Sequence, residues 1–151
     1  MRHKSIGTLR YGRSSYWLVV DVDPQLVAYY RRLLPQRVEY SLTIGKVRYD
    51  PVCLDAEGHW VIINPQRYDA HISVVRNEVP TDLSSWGKYD GQDVEFEYEH
   101  EVRHDDKYWW LDVYCERLEA IRGELGLSVT SVLSRPPDGR WCFHCTIGNT
   151  K

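Results

Sequence analysis

The chain lacks the features of a membrane protein or a secreted protein. No apolar run in its 151 residues approaches the roughly 20 residues that a membrane-spanning helix needs. The first thirteen residues are basic but contain no apolar stretch of the kind found in secretory signals. Only four cysteines occur, and we expect them to be free thiols in a reducing compartment. These absences predict a cytoplasmic protein with no membrane partner.

The chain also lacks a large excess of charge of one sign. Its formal net charge is −3, which argues against bulk binding to duplex nucleic acid. The charges are unevenly distributed, however, because residues 1–49 contain nine Lys and Arg and residues 81–106 contain nine Asp and Glu. The basic half could attract a phosphate-bearing ligand. The alternative is that both segments simply form solvated faces.

The remaining composition is that of an ordinary globular domain. Hydrophobic residues make up 42% of the chain and charged residues 27%, and this length suits one core. We therefore expect a single domain over residues 1–151. Asp23 and Pro24 predict the start of a helix that Pro35 ends, and Gly126 marks the end of a second helix lined by Leu118, Ile121 and Leu125.

Most other segments are predicted to be strands. Runs of β-branched and aromatic residues indicate strands at 15–22, 39–50, 51–55, 59–65, 69–77, 93–104, 108–114, 128–134 and 141–149. Residues 81–92, with Trp86, are predicted to be an exposed loop, and residues 135–140 a tight turn. Strands with two helices between them predict an α+β fold in which the helices cover antiparallel sheet.

Residues 100–104 read His-Glu-Val-Arg-His, which matches the H-E-x-x-H string of zinc metalloproteases. That motif requires a helix, so that two histidines one turn apart reach the same ion. Around it, however, apolar and acidic residues alternate with a period of two, which indicates a strand. On a strand His100 and His104 would be ~13 Å apart, too far to share a zinc ion. A zinc hydrolase built on these histidines is therefore a minor alternative.

Two predicted strands each carry a histidine followed by a hydroxyl residue two positions later. They are His71-Ile72-Ser73-Val74 and His144-Cys145-Thr146-Ile147. Because side chains alternate along a strand, each histidine shares one face with its hydroxyl, ~6.6 Å away. The aliphatic residues and Cys145 point into a core. Each strand would thus present an imidazole beside a hydroxyl, and the alternative is a pair of structural histidines.

Cys142 and Cys145 also form a C-x-x-C pattern. In redox proteins this pattern begins a helix, whereas here it lies within a predicted strand. The two thiols would point to opposite faces, so neither a disulfide nor half of a zinc site is expected. We interpret all four cysteines as small apolar residues.

The segments "AHISVV" and "FHCTIG" resemble the two H-x-[ST]-hydrophobic motifs of the two-histidine (2H) phosphoesterases. This superfamily includes LigT-like RNA ligases and cyclic phosphodiesterases, enzymes that cleave 2′-5′-oligoadenylates, and small phage proteins that destroy cyclic-nucleotide immune signals. The resemblance implies two antiparallel sheets in two lobes around a central cleft, with helices outside. The separation of 73 positions between the histidines suits that layout. Only seven residues follow His144, fewer than in many members, so a strand must come from elsewhere in the chain.

The resemblance also implies residue roles. His71 and His144 match the catalytic histidines, and Ser73 and Thr146 match the hydroxyls that bind phosphate. Histidine titrates near neutral pH, so one ring can act as base and the other as acid, and no metal or other cofactor is required. Tyr16 is a further candidate for stacking on a base or donating to phosphate, with ordinary packing as its alternative.

The expected function is a metal-independent phosphodiesterase. Its expected substrate is a small nucleotide or oligonucleotide with a cyclic phosphate or a 2′-5′ linkage, or an RNA end. By resemblance alone, it would be a phage or viral protein that degrades nucleotide immune signals in a bacterial or virus-infected cell. The main alternative is a non-catalytic nucleotide- or RNA-binding module of the same fold. No protein partner is expected.

Overall fold

The computed structural model describes residues 2–129 and 142–151. The strands in these ranges are β1 (Arg2–Tyr11), β2 (Leu18–Asp21), β3 (Gln36–Ser41), β4 (Lys46–Leu54), β5 (Trp60–Ile62), β6 (His71–Val75), β7 (Asp93–Glu99), β8 (Arg103–His104), β9 (Tyr108–Tyr114) and β10 (Phe143–Asn149). The helices are α1 (Pro24–Leu33) and α2 (Glu116–Glu124).

Six strands form a closed barrel in the order β10-β6-β2-β1-β7-β9, and pairing between β9 and β10 closes it. The short β8 also pairs with β9. Strands β3, β4 and β5 form a separate sheet. The two sheets are linked where Asn64 and Asn149 exchange backbone hydrogen bonds of 2.7 and 2.9 Å. The smaller sheet is therefore anchored to the last strand of the barrel.

The core lies on one face of the barrel strands and under both helices. On β6 and β10 the alternation is simple, since Ile72, Val74, Cys145 and Ile147 are all buried. α2 adds Leu118, Ile121 and Leu125 to the larger cluster. Tyr30 of α1 packs with a smaller cluster that contains residues of β9 and β10. The opposite face of β6 and β10 is thereby left to polar side chains.

Both predicted helices are confirmed. The Asp23 carboxylate accepts a hydrogen bond of 2.9 Å from the Gln25 N–H, and Pro24 occupies the first turn. After α2, Gly126 has φ of +73°, a left-handed conformation that favours glycine. The local signals therefore predicted both ends of α1 and the end of α2, whereas the start of α2 at Cys115 has no side-chain cap and was not predicted.

The N-terminal strand was not predicted. β1 pairs with β2 on one side and β7 on the other, so it lies within the barrel wall. Its sequence has polar residues on both faces and Gly7 in the middle, which hides the alternation. Gly7 is needed because a Cβ there would lie 2.4 Å from Val20 Cγ1. β1 is an additional strand contributed from before His71.

Several strand boundaries differ from the predictions. β7 ends at Glu99, and His100 and Glu101 lie in a bend before β8. The predicted strand 128–134 is wrong at Ser128 and Val129, which are not in a strand, and its remainder lies outside the described residues. The predicted turn at 135–140 also lies outside the described residues.

The exposed loop predicted at residues 81–92 is only partly correct. Trp86 is half-buried and packs against the core. Its indole N–H donates a 3.3 Å hydrogen bond to the Gly12 carbonyl. The segment is therefore a series of turns that is attached to the barrel through the Trp86 side chain.

The predicted α+β class is confirmed, but its division into two lobes is not. The chain forms one barrel of six strands and one small sheet of three, rather than two matched sheets. Within the part of the chain that the structure describes, no helix combines the length and apolar character needed to cross a membrane.

Part of the basic segment lies directly beside part of the acidic segment. β1 lies beside β7, so that Arg2 pairs with Glu97 and Glu99, and Lys4 pairs with Glu95. These contacts are solvent-exposed and individually worth little. They nevertheless place two basic residues of the first segment beside three acids of the second.

Candidate active site

The two histidine motifs lie on neighbouring strands. β6 and β10 are antiparallel, with Ile72 opposite Cys145. This register places His71 opposite Thr146 and Ser73 opposite His144, because partners in an antiparallel pair shift in opposite directions. All four side chains are half-buried and lie on the face opposite the buried Ile72 and Cys145. The result is a compact four-residue cluster in which each imidazole has a hydroxyl on its own strand and another across the strand pair.

The His71 ring is oriented by the main chain. Its Nδ1 lies 2.6 Å from the Asp69 carbonyl oxygen. A carbonyl can only accept, so Nδ1 carries the proton and donates it to this bond. The interaction fixes the ring and leaves Nε2 as the nitrogen available to a ligand.

His144 lies in a more enclosed environment. Burial lowers the pKa of His144 below its usual 6.5, and the charges of His71 and Arg76 lower it further, while Asp112 opposes the shift. The neutral imidazole is therefore favoured at neutral pH. The influence of His71 on this pKa also reflects the proximity of the two rings.

Asp112 on β9 supports His144 from the third strand of the group. It lies directly opposite His144 in the β9–β10 pairing and is 1% exposed. Its carboxylate accepts hydrogen bonds from the Arg103 side chain and, at 3.0 Å, from the Trp110 indole N–H. The Trp110 ring also contacts the His144 ring at a centroid distance of 6.4 Å. This buried carboxylate is the group that keeps the pKa of His144 from falling further.

A cavity of about 540 Å³ adjoins the β6 half of the cluster. Among the described residues it is lined by Arg10, Ser15, Tyr16, Trp17, Val19, Tyr68, His71, Ser73, Val75, Arg76, Asn77, Glu78 and Val79. His144 and Thr146 are not among these residues. Its size falls within the range of small-molecule sites, and its wall combines arginines, hydroxyls and aromatic rings.

Tyr16 lies in this wall, half exposed and held in place by Trp86. The two rings are edge-to-face with centroids 5.5 Å apart, and Trp86 makes a similar contact with Tyr11 at 5.1 Å. Edge-to-face pairing is a favourable aromatic geometry. The Tyr16 ring is therefore a positioned surface on which a planar group could stack.

Arg10 also lines this cavity and is held in place by two contacts. Its guanidinium makes two hydrogen bonds to Asp21, of 2.7 and 2.9 Å. It also lies over the Trp17 ring at 4.8 Å from the centroid. A substrate phosphate bound beside Arg10 would contact a guanidinium that is already oriented. The Asp21 carboxylate offsets part of the positive charge of Arg10.

The His100–His104 string does not form the metal site of a zinc hydrolase. Residues 100–104 contain a bend and the short β8 instead of a helix. Among residues 2–129 and 142–151, the only group of three or more metal-ligating side chains close together is Asp55, Glu57 and His59. All three are exposed, and they belong to a turn remote in sequence from both histidine motifs.

The four cysteines are free thiols. Cys115, Cys142 and Cys145 are buried, and burial raises the pKa of the Cys145 thiol to about 12. A thiol with so high a pKa is a poor nucleophile and a poor metal ligand. This agrees with the interpretation of the C-x-x-C pattern as apolar packing.

Sequence reasoning missed Arg10, Arg76, Trp17, Tyr68 and Asp112. Arg76 follows β6 directly, so its proximity to the motif was available from the sequence. Trp17 follows Tyr16, and Tyr68 lies three residues before His71, so both were also close in sequence to predicted residues. Arg10 and Asp112 come from β1 and β9, whose position beside the motifs is a long-range property. Their sequence neighbourhoods contain no motif that would identify them.

No protein-family model matches the chain, and no similar protein was found among the curated proteins or the solved structures.

Proposed function

We propose that the protein is a metal-independent phosphodiesterase of the 2H type. The observation that carries the proposal is the β6–β10 register, which brings His71, Ser73, His144 and Thr146 onto one face of adjacent strands. Two imidazoles and two hydroxyls in that arrangement suit a single phosphate. In this proposal β6 and β10 each contribute one motif, as the two lobes of a 2H phosphoesterase do.

The chemistry requires a proton acceptor and a proton donor. The neutral imidazole of His144 takes the proton from the attacking hydroxyl or water as the new P–O bond forms. His71 enters this step as the imidazolium, with its Nδ1–H donated to the Asp69 carbonyl, and gives the proton on Nε2 to the leaving oxygen as the old P–O bond breaks. The hydroxyls of Ser73 and Thr146 donate to the non-bridging oxygens as charge builds there. Attack from the other side of phosphorus exchanges the two histidine roles.

The wall of the cavity supports a nucleotide substrate. Tyr16, Trp17 and Tyr68 offer aromatic faces, and stacking of a base on an aromatic ring contributes about 1–3 kcal/mol. Arg10 and Arg76 offer cations for phosphate oxygens. We therefore propose a small cyclic or 2′-5′-linked oligonucleotide, or a nucleotide with a cyclic phosphate. The further proposal, that it degrades nucleotide immune signals in an infected bacterial cytoplasm, rests on the 2H resemblance.

The test is a panel of cyclic mononucleotides, cyclic dinucleotides and trinucleotides, 2′-5′ oligoadenylates and RNA ends with 2′,3′-cyclic phosphate, read by mass spectrometry in the presence of a chelator. Formation of a linearised or shortened product supports the proposal. Stoichiometric zinc together with chelator-sensitive cleavage would overturn it.

His71→Ala and His144→Ala should each lower turnover by about 10²-fold or more, because each removes a proton-transfer group. Single-turnover rates on the cleaved substrate are the measurement, with circular dichroism to establish folding. His100→Ala is the matched control, since His100 is an exposed histidine of the bend after β7. An equal loss in the control variant would contradict the assigned roles.

A second candidate is a nucleotide-binding module without catalysis. It is favoured by one observation: the cavity contacts His71 and Ser73 but not His144 or Thr146. A ligand could therefore bind beside one histidine alone. Tight binding of a panel member without any product, and with equal affinity in His144→Ala, would establish this second function.

A further inference from the structure

The geometry points to a twofold dimer of this chain, in which β3 pairs antiparallel with β3 of a second copy. The relevant surface is the hairpin of β3 and β4, together with the tip at residues 42–45. Among the described strands, β3 pairs only with β4 and so forms a free edge of the small sheet. Free edges of this kind can pair with another chain unless the sequence blocks them.

The backbone groups available at this edge follow from the β3–β4 ladder. The Val52 N–H donates to the Pro35 carbonyl at 2.8 Å. Hydrogen-bonded pairs alternate in an antiparallel ladder, so Arg37 and Glu39 bond towards β4. Gln36, Val38 and Tyr40 consequently direct their N–H and C=O groups outward. These three alternate residues form a ladder that a second strand could complete.

A self-pairing centred on Val38 satisfies those groups symmetrically. Val38 would exchange two hydrogen bonds with Val38 of the partner subunit, and Gln36 would pair with Tyr40 of the partner subunit. The same residues meet on both sides of the axis, as a twofold interface requires. The outward-directed N–H and C=O groups of one β3 strand then face the C=O and N–H groups of the other.

Charge complementarity selects the same register. The centred pairing places Arg37 opposite Glu39 of the partner subunit, and Glu39 opposite Arg37 of the partner subunit. Both residues are exposed, with a separation of 3.7 Å between their charged groups within one chain. Opposite charges directly across a strand pair are stabilising and like charges destabilising. Edges that avoid pairing usually carry charges that repel a second copy, whereas these attract one.

The exposed apolar residues of the hairpin are explained by the same pairing. Val38, Tyr40, Val47 and Tyr49 share one face of the hairpin, and all are exposed. The tip residue Leu42 is 89% exposed. Continued beyond the strand, the register brings Leu42 to the level of Leu34 of the partner subunit, at the end of its α1. There α1 presents Tyr29 and Leu33, which lie one turn apart and are both exposed.

The experiment is sedimentation equilibrium of the full chain over a wide range of concentration. The wild type should show a reversible monomer–dimer equilibrium. Arg37→Glu and Glu39→Arg should each weaken it by about tenfold or more, because each variant creates two like-charge pairs. The double variant Arg37→Glu/Glu39→Arg restores opposite charges and should recover wild-type dimerisation.

The matched control is Lys46→Glu, which makes the same change of charge as Arg37→Glu on β4 rather than on the free edge. It should leave the equilibrium unchanged. A second probe is Val38→Pro, which removes the N–H at the centre of the interface while leaving the bonds to β4 intact; it should abolish the dimer. A wild type that is monomeric at every concentration, or a folded double variant that fails to recover, would overturn the proposal.

Discussion

At the scale of single residues, the position of His144 between a buried carboxylate and a second histidine determines its behaviour. Its pKa is lowered, first by burial and then by the charges of His71 and Arg76. The unfolded chain therefore binds a proton at His144 at a higher pH than the folded chain does. Protonation of His144 therefore disfavours the folded state.

The free energy of unfolding should consequently decrease as the pH falls below about 6.5, since the unfolded state then gains protons that the folded state resists. Above that pH the contribution of His144 should be constant. Urea titrations at several pH values would measure this slope. His144→Gln has no titrating ring, so its slope between about pH 5 and 6.5 should be shallower. Identical slopes in the two proteins would contradict the lowered pKa.

The sequence identified the individual site residues but did not predict that the two motifs lie side by side. Alternation within each motif correctly predicted that Ile72 and Cys145 are buried and that the histidines lie on the other face. The pairing of β6 with β10 joins residues 73 positions apart, and no local pattern determines such a register. Asp112 was missed for the same reason, because its role comes entirely from lying across from His144.

At the scale of secondary-structure elements, α2 is attached to the end of β6 through one buried cation. The Arg122 side chain is 0% exposed. It donates two hydrogen bonds of 2.8 Å to Glu78 and one of 2.7 Å to the Val74 carbonyl. It also donates to the Ser128 carbonyl at 2.7 Å. This residue therefore connects the helix, the β6 terminus and the segment after α2.

Arg122→Met should destabilise the fold by roughly 3 kcal/mol, because it leaves Glu78 and two carbonyls without their partner. The value is at the low end of the range for a broken buried pair, since the Glu78 side chain is 20% exposed and can be partly hydrated. Chemical denaturation would measure it. The double variant Arg122→Met/Glu78→Gln should recover part of the loss, and a double variant less stable than the single one would argue against this explanation.

Gly148 of β10 packs closely against the residues that follow β5. A Cβ there would lie 2.6 Å from Ile63 Cγ2 and 2.9 Å from the Asn64 carbonyl oxygen. Gly148→Ala should therefore cost about 1–3 kcal/mol through overpacking. Gly123→Ala in α2 is the control, as its Cβ would meet nothing within 4 Å and should stabilise the helix by up to about 1 kcal/mol. Thermal unfolding of both variants measures the contrast.

Element ends that are marked by capping residues, proline or glycine were predictable from the sequence, and ends without such residues were not. Asp23 and Pro24 define the start of α1 by themselves. β1 has no such terminal signals, and its buried side chains Leu9 and Tyr11 are too few to reveal the two-residue alternation of a strand. The continuous alternation in 93–104 predicted one strand, but the chain bends at His100 and Glu101 so that β8 can pair with β9 further along. Tertiary pairing thus overrides the local pattern.

At the scale of the whole molecule, the net charge is small, −3, and several charged residues form ion pairs. The basic residues of β1 face the acids of β7, and Arg10 binds Asp21. The long-range field should therefore be weak, and electrostatic steering of an anionic ligand should be modest. We expect the association rate of a nucleotide to fall by less than about tenfold between low salt and roughly 0.5 M salt. Stopped-flow measurement of binding would test this, and a fall of a hundredfold or more would contradict it.

The barrel closes through the same strand that carries half of the candidate site. β10 pairs with β6 on one side and β9 on the other, so any fluctuation that detaches it also separates His144 from His71. In the proposed mechanism, activity therefore depends on the barrel remaining closed. In mild denaturant, loss of the proposed turnover should coincide with deprotection of the β10 amides to hydrogen exchange.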